Sequence, residues 1–182
     1  MYIAPATENE IAILAVLHVE GWHCAYEGAV DQDFLDSLSV HEREIGWEKW
    51  LANPDINAAI AYVNDHPVGF VAYGKIESIP PGQSAIRPQY TCEILAIYIL
   101  PDYWKQGIGQ KLMSYACEQL KADRHDGMCL WVLDKNKNAC AFYEKLGGQR
   151  IGKHMIEIGP SKVKEVCYGW RDMKPLIKET DI

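Results

Sequence analysis

No stretch of the chain comes near the roughly 18 uninterrupted apolar residues that a membrane span needs. The opening residues MYIAPATENE also lack the basic segment and apolar run of a secretory leader. A cytoplasmic location without membrane attachment is the expectation. There is no basic patch either: 18 Lys and Arg are scattered among 25 Asp and Glu, for a formal charge of -7. Phosphate backbones demand concentrated positive charge, so nucleic acid is not an expected partner. The six cysteines (Cys24, Cys92, Cys117, Cys129, Cys140 and Cys167) never form a Cys-x-x-Cys pair or join histidines at metal-ligand spacing. They read as reduced, mostly buried small hydrophobes, and no metal is expected. No serine sits in a nucleophile-elbow glycine pattern, which leaves hydrolase chemistry without an anchor. Repeats and low-complexity tracts are absent.

What is present is an ordinary globular composition, 48% hydrophobic and 24% charged over 182 residues, enough for one domain, 1-182, with a sizeable core. Residues 2–5 suit a short strand. Thr7 and Glu10 then form a capping-box pattern ahead of a helix whose Ile11, Leu14, Ala15, His18 and Trp22 share one face. Residues 31–54 read as two short helices with Phe34, Leu35, Leu38, Ile45, Trp47, Trp50 and Leu51 inward. A hairpin is expected around Asn64 to Pro67 and a loop over 79–88. The run YTCEILAIYIL, 90–100, is apolar except for Glu93, as befits a strand buried on both faces. A helix over 107–122, a strand at MCLWVLD, a helix over 136–146 and strands near 149–158 and 163–173 complete a mixed α/β order.

Between that apolar strand and the next helix lies PDYWKQGIGQKLM, 101–113. A glycine-rich turn at a helix N-terminus offers unpaired N–H groups and a favourable dipole to an anion. A dinucleotide fingerprint would need a third glycine where Leu112 stands, and a P-loop would need Gly-Lys-Ser/Thr where Gly109 meets Gln110. Either a diphosphate cradle of another kind or a merely tight strand-to-helix connection remains.

Trp104-Lys105-Gln106-Gly107-Ile108-Gly109 resembles the Gln/Arg-x-x-Gly-x-Gly/Ala motif of the GCN5-related N-acetyltransferase (GNAT) family, departing from it at Trp104. Downstream, Asn136, Ala139, Phe142, Tyr143 and Gly147 are similar to the family's Asn-x-x-Ala-x-x-Phe-Tyr-x-x-x-Gly pattern. The resemblance implies a twisted six- or seven-stranded mixed sheet flanked by helices. It implies acetyl-CoA as cosubstrate, its diphosphate held by Lys105, Gln106, Gly107, Ile108, Gly109 and Gln110. Ile97, Tyr98 and Ile99 of the central strand would meet the pantetheine arm, and Asn136 would add a contact. Tyr143 takes the position of the thiol-protonating tyrosine. A homodimer is compatible with the family's habits.

Aminolysis of a thioester also needs a group to take the ammonium proton, and Glu93 is the one carboxylate in the central strand's apolar run. Trp22, Tyr26 and Glu27 could form an aromatic and acidic pocket for an amine. The expected activity is acetyl transfer from acetyl-CoA to a primary amine, most simply a small molecule, in a ternary complex. A non-catalytic acyl-CoA-binding sensor is the alternative.

Overall fold

The computed structural model describes residues 1–76 and 89–178, so the expected loop over 79–88 lies outside the described residues. Seven strands form a single mixed sheet in the order β1-β2-β3-β4-β5-β7-β6. They are β1 (Tyr2–Pro5), β2 (Ile56–Val63), β3 (His66–Lys75), β4 (Cys92–Ile99), β5 (Met128–Leu133), β6 (Gln149–Ile158) and β7 (Ser161–Trp170). All neighbours pair antiparallel except β4 and β5, the parallel pair at the centre. The connection between those two carries a helix, as parallel strands require.

Among the described residues five α-helices cover the sheet: α1 (Ile11–Tyr26), α2 (Gln32–Asp36), α3 (Val40–Ala52), α4 (Ile108–Ala122) and α5 (Lys137–Lys145). Thr7 and Glu10 form the expected reciprocal cap, here on a 3₁₀ turn, Glu8–Glu10, that runs into α1. Apolar residues at four-residue spacing give α4 one buried stripe, Ile108, Leu112, Ala116 and Leu120, set against Val71, Ile94 and Leu130 of the sheet. The opposite face buries Leu14 of α1 and Trp47 of α3 on Ile60 and Phe70. Ile45 departs from expectation: it is 40% exposed, because it sits two positions from buried Trp47 and so on the far side of α3. Among the described residues no helix is long and apolar enough to cross a membrane.

His18 is enclosed by the rings of Trp22, Trp47, Trp50, Phe70 and Tyr98, with centroids 5.3 to 6.2 Å away. Burial, with a smaller contribution from the Arg43 charge, pushes its pKa down to about 3. Its folded pKa lies below its unfolded value of about 6.5, so the unfolded chain takes up a proton that the folded chain refuses. Stability is unaffected above pH 6.5 and falls as the pH drops towards 3. His18→Leu should therefore flatten the acid limb. Between pH 6 and 4, denaturant titrations should show the wild type losing up to about 1.4 kcal/mol per pH unit more than the variant.

Candidate active site

The centre of the sheet comes apart. The parallel ladder covers three pairs, Cys92↔Met128 to Ile94↔Leu130, and ends there although β4 runs on to Ile99 and β5 to Leu133. A register shift marks the same place on the other side of β4: Tyr73 faces Ile94 while Ala72 faces Ala96, so Leu95 is an extra residue. A bulge of this kind bends its strand and sharpens the local twist, which carries β4 away from β5. Leu100 N–H donates to the Val68 carbonyl at 2.9 Å. Alternation along an antiparallel pair then turns the main chain of Ala96 and Tyr98 towards β3, and that of Ile97 and Ile99 towards the gap.

The glycine turn closes one end of the gap. Lys105 and Gly107 both adopt positive φ, 60° and 83°, and Gly107 caps α4 in the left-handed region. A Cβ at Gly107 would meet nothing within 4 Å, so this position needs glycine for its backbone and not for space. The N–H of Lys111 returns to the Gly107 carbonyl at 3.1 Å, which leaves those of Ile108, Gly109 and Gln110 as the unpaired first donors of the helix. Their side chains are occupied elsewhere: Ile108 is buried in the core, and Gln110 accepts from Lys178. Gln106 donates from its amide to the Asp102 carbonyl. Lys105 remains exposed beside the turn. Donors converging on a helix N-terminus next to an exposed lysine suit the diphosphate of an acyl coenzyme A.

Gly109 is there for closeness. A Cβ would lie 3.1 Å from Phe142 of α5 and 3.2 Å from Ile99 of β4. The crowding expected of a larger side chain thus falls first on these two residues, at the join of α4, α5 and β4. Gly109→Val should cost about 1–3 kcal/mol by overpacking. The lost fit of the turn should weaken acetyl-CoA binding about tenfold, and calorimetric titration beside a thermal melt reads both.

Trp104, the departure from the motif, has a task of its own. Its indole N–H donates to the Ile99 carbonyl at 2.6 Å, tying the turn to the end of β4. The Ile99 carbonyl is therefore engaged by the protein, and the groups facing the gap are those of Ile97 and the Ile99 N–H. Asn136 caps α5 by accepting from Ala139 N–H at 3.1 Å, which leaves its amide N–H groups for a ligand.

Tyr143 is buried against Phe142, Tyr168 and Trp170. Burial is the main cause that raises its pKa above the ordinary phenol value, followed by Tyr26 and Cys140. Tyr98 requires a correction: its main chain pairs with Phe70 and its side chain packs against α1, where a Cβ on Gly21 would touch its ring at 2.6 Å. Its main chain is thus engaged by β3 and is not turned to the gap. Its hydroxyl lies 2.8 Å from that of Tyr26, and burial, Tyr26 and Tyr143 raise its pKa well above the usual phenol value. Three phenols, from α1, β4 and α5, thus act on one another across the gap.

Beyond them stands a wall that the sequence only half revealed. The Trp22 and Tyr26 rings meet edge to face at 4.8 Å. Glu27 does not join them; it is exposed past the helix end and acts on Cys24. The charged group on Trp22 is instead Arg43, whose guanidinium lies 4.9 Å from the ring centroid. Further out, His154 stacks on Trp131 at 3.9 Å and bonds Glu165 at 2.9 Å. Those three residues are far apart in sequence, and only the register of β5, β6 and β7 brings them together. Glu93 sits in the paired part of β4, between Gly74 and Cys129 and one residue before the ladder ends. It is partly buried, and its charge helps to raise the Cys92 and Cys129 thiols. Burial pushes Cys92 and Cys117 up to about 12, which rules both out as nucleophiles at neutral pH. Among the described residues no group of three or more His, Cys, Asp or Glu could hold a metal ion.

A central parallel pair that parts above a helix N-terminus, with phenols on the far side, is the layout of an acyl-coenzyme A-dependent transferase. The model of the acetyltransferase (GNAT) family matches residues 20–148. The chain belongs to that family. It is 29% identical over 175 residues, 96% of this chain and 95% of the relative, to the uncharacterised N-acetyltransferase YuaI of Bacillus subtilis. Among solved structures it resembles the PaiA N-acetyltransferase of Thermoplasma acidophilum in complex with coenzyme A, with a TM-score of 0.65 and 20% identity over 91% of this chain and 98% of that one. It also resembles YncA, a putative acetyltransferase of Salmonella typhimurium with its cofactor acetyl-CoA, with a TM-score of 0.68 and 15% identity over 100% and 97%.

Proposed function

We propose that the chain transfers the acetyl group of acetyl-CoA directly to a primary amine of a small molecule, with both substrates held in the gap at once. The observation that carries this reading is the parting of β4 from β5 between the α4 N-terminus and Tyr143. Acetyl-CoA supplies an activated thioester. The N–H groups of Ile108, Gly109 and Gln110, with Lys105, hold its diphosphate, and the Ile97 main chain aligns its arm as an added strand would be aligned. The Ile99 N–H is aimed where an acyl oxygen gains negative charge. Glu93 takes the ammonium proton through a water, from the paired end of β4. Tyr143, with its proton held by burial, donates to the departing sulfur.

Steady-state kinetics with acetyl-CoA and a panel of primary amines, following free thiol, tests this. Turnover with intersecting double-reciprocal lines is the expected result. Parallel lines would mean an acetyl-enzyme and sink direct transfer, and acetyl-CoA binding without turnover on any amine would leave the sensor reading.

A further inference from the structure

Arg43 is a cation without an anion. It is half-buried on α3, over Trp22, and among the described residues its guanidinium forms no ion pair and no hydrogen bond. The carboxylates that could neutralise it are turned elsewhere. Glu165 is bonded to His154, and Glu42, its neighbour on the helix, acts on it only at a distance. The groups around it are phenols and indoles: Tyr26 and Tyr98 lie within electrostatic range, and the Trp22 indole N–H is buried without an acceptor among the described residues. This wall holds donors in excess of acceptors. Withdrawing a guanidinium from water without an anion is costly, and a ligand anion would offset that cost. A planar carboxylate matches the two-pronged guanidinium, accepting two parallel N–H bonds.

We infer that Arg43 is a specificity residue that receives the carboxylate of the acceptor, so that the acetylated amine belongs to an amino acid. The inference rests on reading the α1 and α3 side of the gap as the acceptor side. The Trp22 ring lies 4.9 Å from the guanidinium carbon, and the Tyr26–Tyr98 pair stands within electrostatic range of both Arg43 and Tyr143. A cationic acceptor would meet a like charge on Trp22.

The test compares free amino acids with their carboxamides, as acceptors for the wild type, Arg43→Gln and Arg43→Lys. The wild type should favour the acids at least tenfold in kcat/KM. Arg43→Gln should erase that preference by raising KM for the acids, with kcat and the constants for the amides within about threefold of wild type, and Arg43→Lys should restore part of it. An acid preference that survives in Arg43→Gln, or amides equal to acids in the wild type, would overturn the inference and leave acetyl transfer standing. Calorimetric titration of N-acetyl amino acids in the presence of coenzyme A needs no turnover. Tight binding lost in Arg43→Gln but kept in Arg43→Lys, in a protein that acetylates nothing, would uphold the carboxylate site and sink the proposed reaction. Equal binding of N-acetyl amino acids and their amides to the wild type would sink the carboxylate site.

Discussion

Tyr143→Phe should lower turnover about a hundredfold and leave acetyl-CoA affinity within about threefold. The expectation follows from where the phenol sits. Its ring is fixed by Phe142, Tyr168 and Trp170, contacts that phenylalanine keeps, so the variant should fold and melt much like the wild type. What it loses is the hydroxyl, which makes no hydrogen bond to the described residues and acts electrostatically on Tyr26 and Tyr98 across the gap. Burial holds the phenol protonated throughout the neutral range, so the group proposed to meet the sulfur is a donor at every working pH. Removing it takes away an interaction made chiefly as the thiolate departs, and such a loss lowers kcat without moving ground-state affinity. An acyl donor with a more acidic thiol needs less help, and should narrow the gap between variant and wild type. Unchanged turnover with acetyl-CoA would remove Tyr143 from the reaction.

Much of this layout was open to inspection in the chain itself. A nearly continuous apolar run located β4 and a four-residue repeat located α4, each to within two residues, and the ends of α5 were placed to within one. The glycine turn was legible for a different reason: Gly107 needs a left-handed backbone and Gly109 a missing Cβ, requirements that few other residues meet. Relations that depend on register were not legible. Nothing local says that Leu95 is supernumerary, yet that one residue bends β4 and opens the gap. Arg43 gives no local signal in the sequence, and Glu27 seemed the partner for Trp22 because it is near in the chain. The packing of α3 against α1 reversed the sign of that wall. Trp104 showed itself as a departure, and its bond to Ile99 gives the reason: the turn is anchored by an indole at the end of β4.

Glu93→Gln should reduce turnover by about two orders of magnitude and change the shape of the pH profile. Glutamine preserves the volume and most of the hydrogen-bonding reach of the side chain, so the β3–β4–β5 ladder around it should persist, which a melting temperature close to wild type would show. With the carboxylate gone, the amine must reach the site already deprotonated. Free alkyl amines lose their proton near pH 10, so the variant's rate should climb with unit slope up to about that pH. The wild type should level off earlier, since the protein takes the proton. A nucleophile of low basicity separates this from a structural defect: a hydroxylamine or a hydrazide, uncharged at neutral pH, should recover most of the lost rate in Glu93→Gln. The structure also supplies a rival, the Glu165–His154 pair stacked on Trp131. If His154→Gln alters the profile and Glu93→Gln does not, the proton leaves through that pair, towards the β6–β7 side of the gap. If Glu93→Gln alone alters it, the carboxylate one residue before the strands part is the base, and the bulge at Leu95 serves both to open the gap and to set Glu93 at its edge.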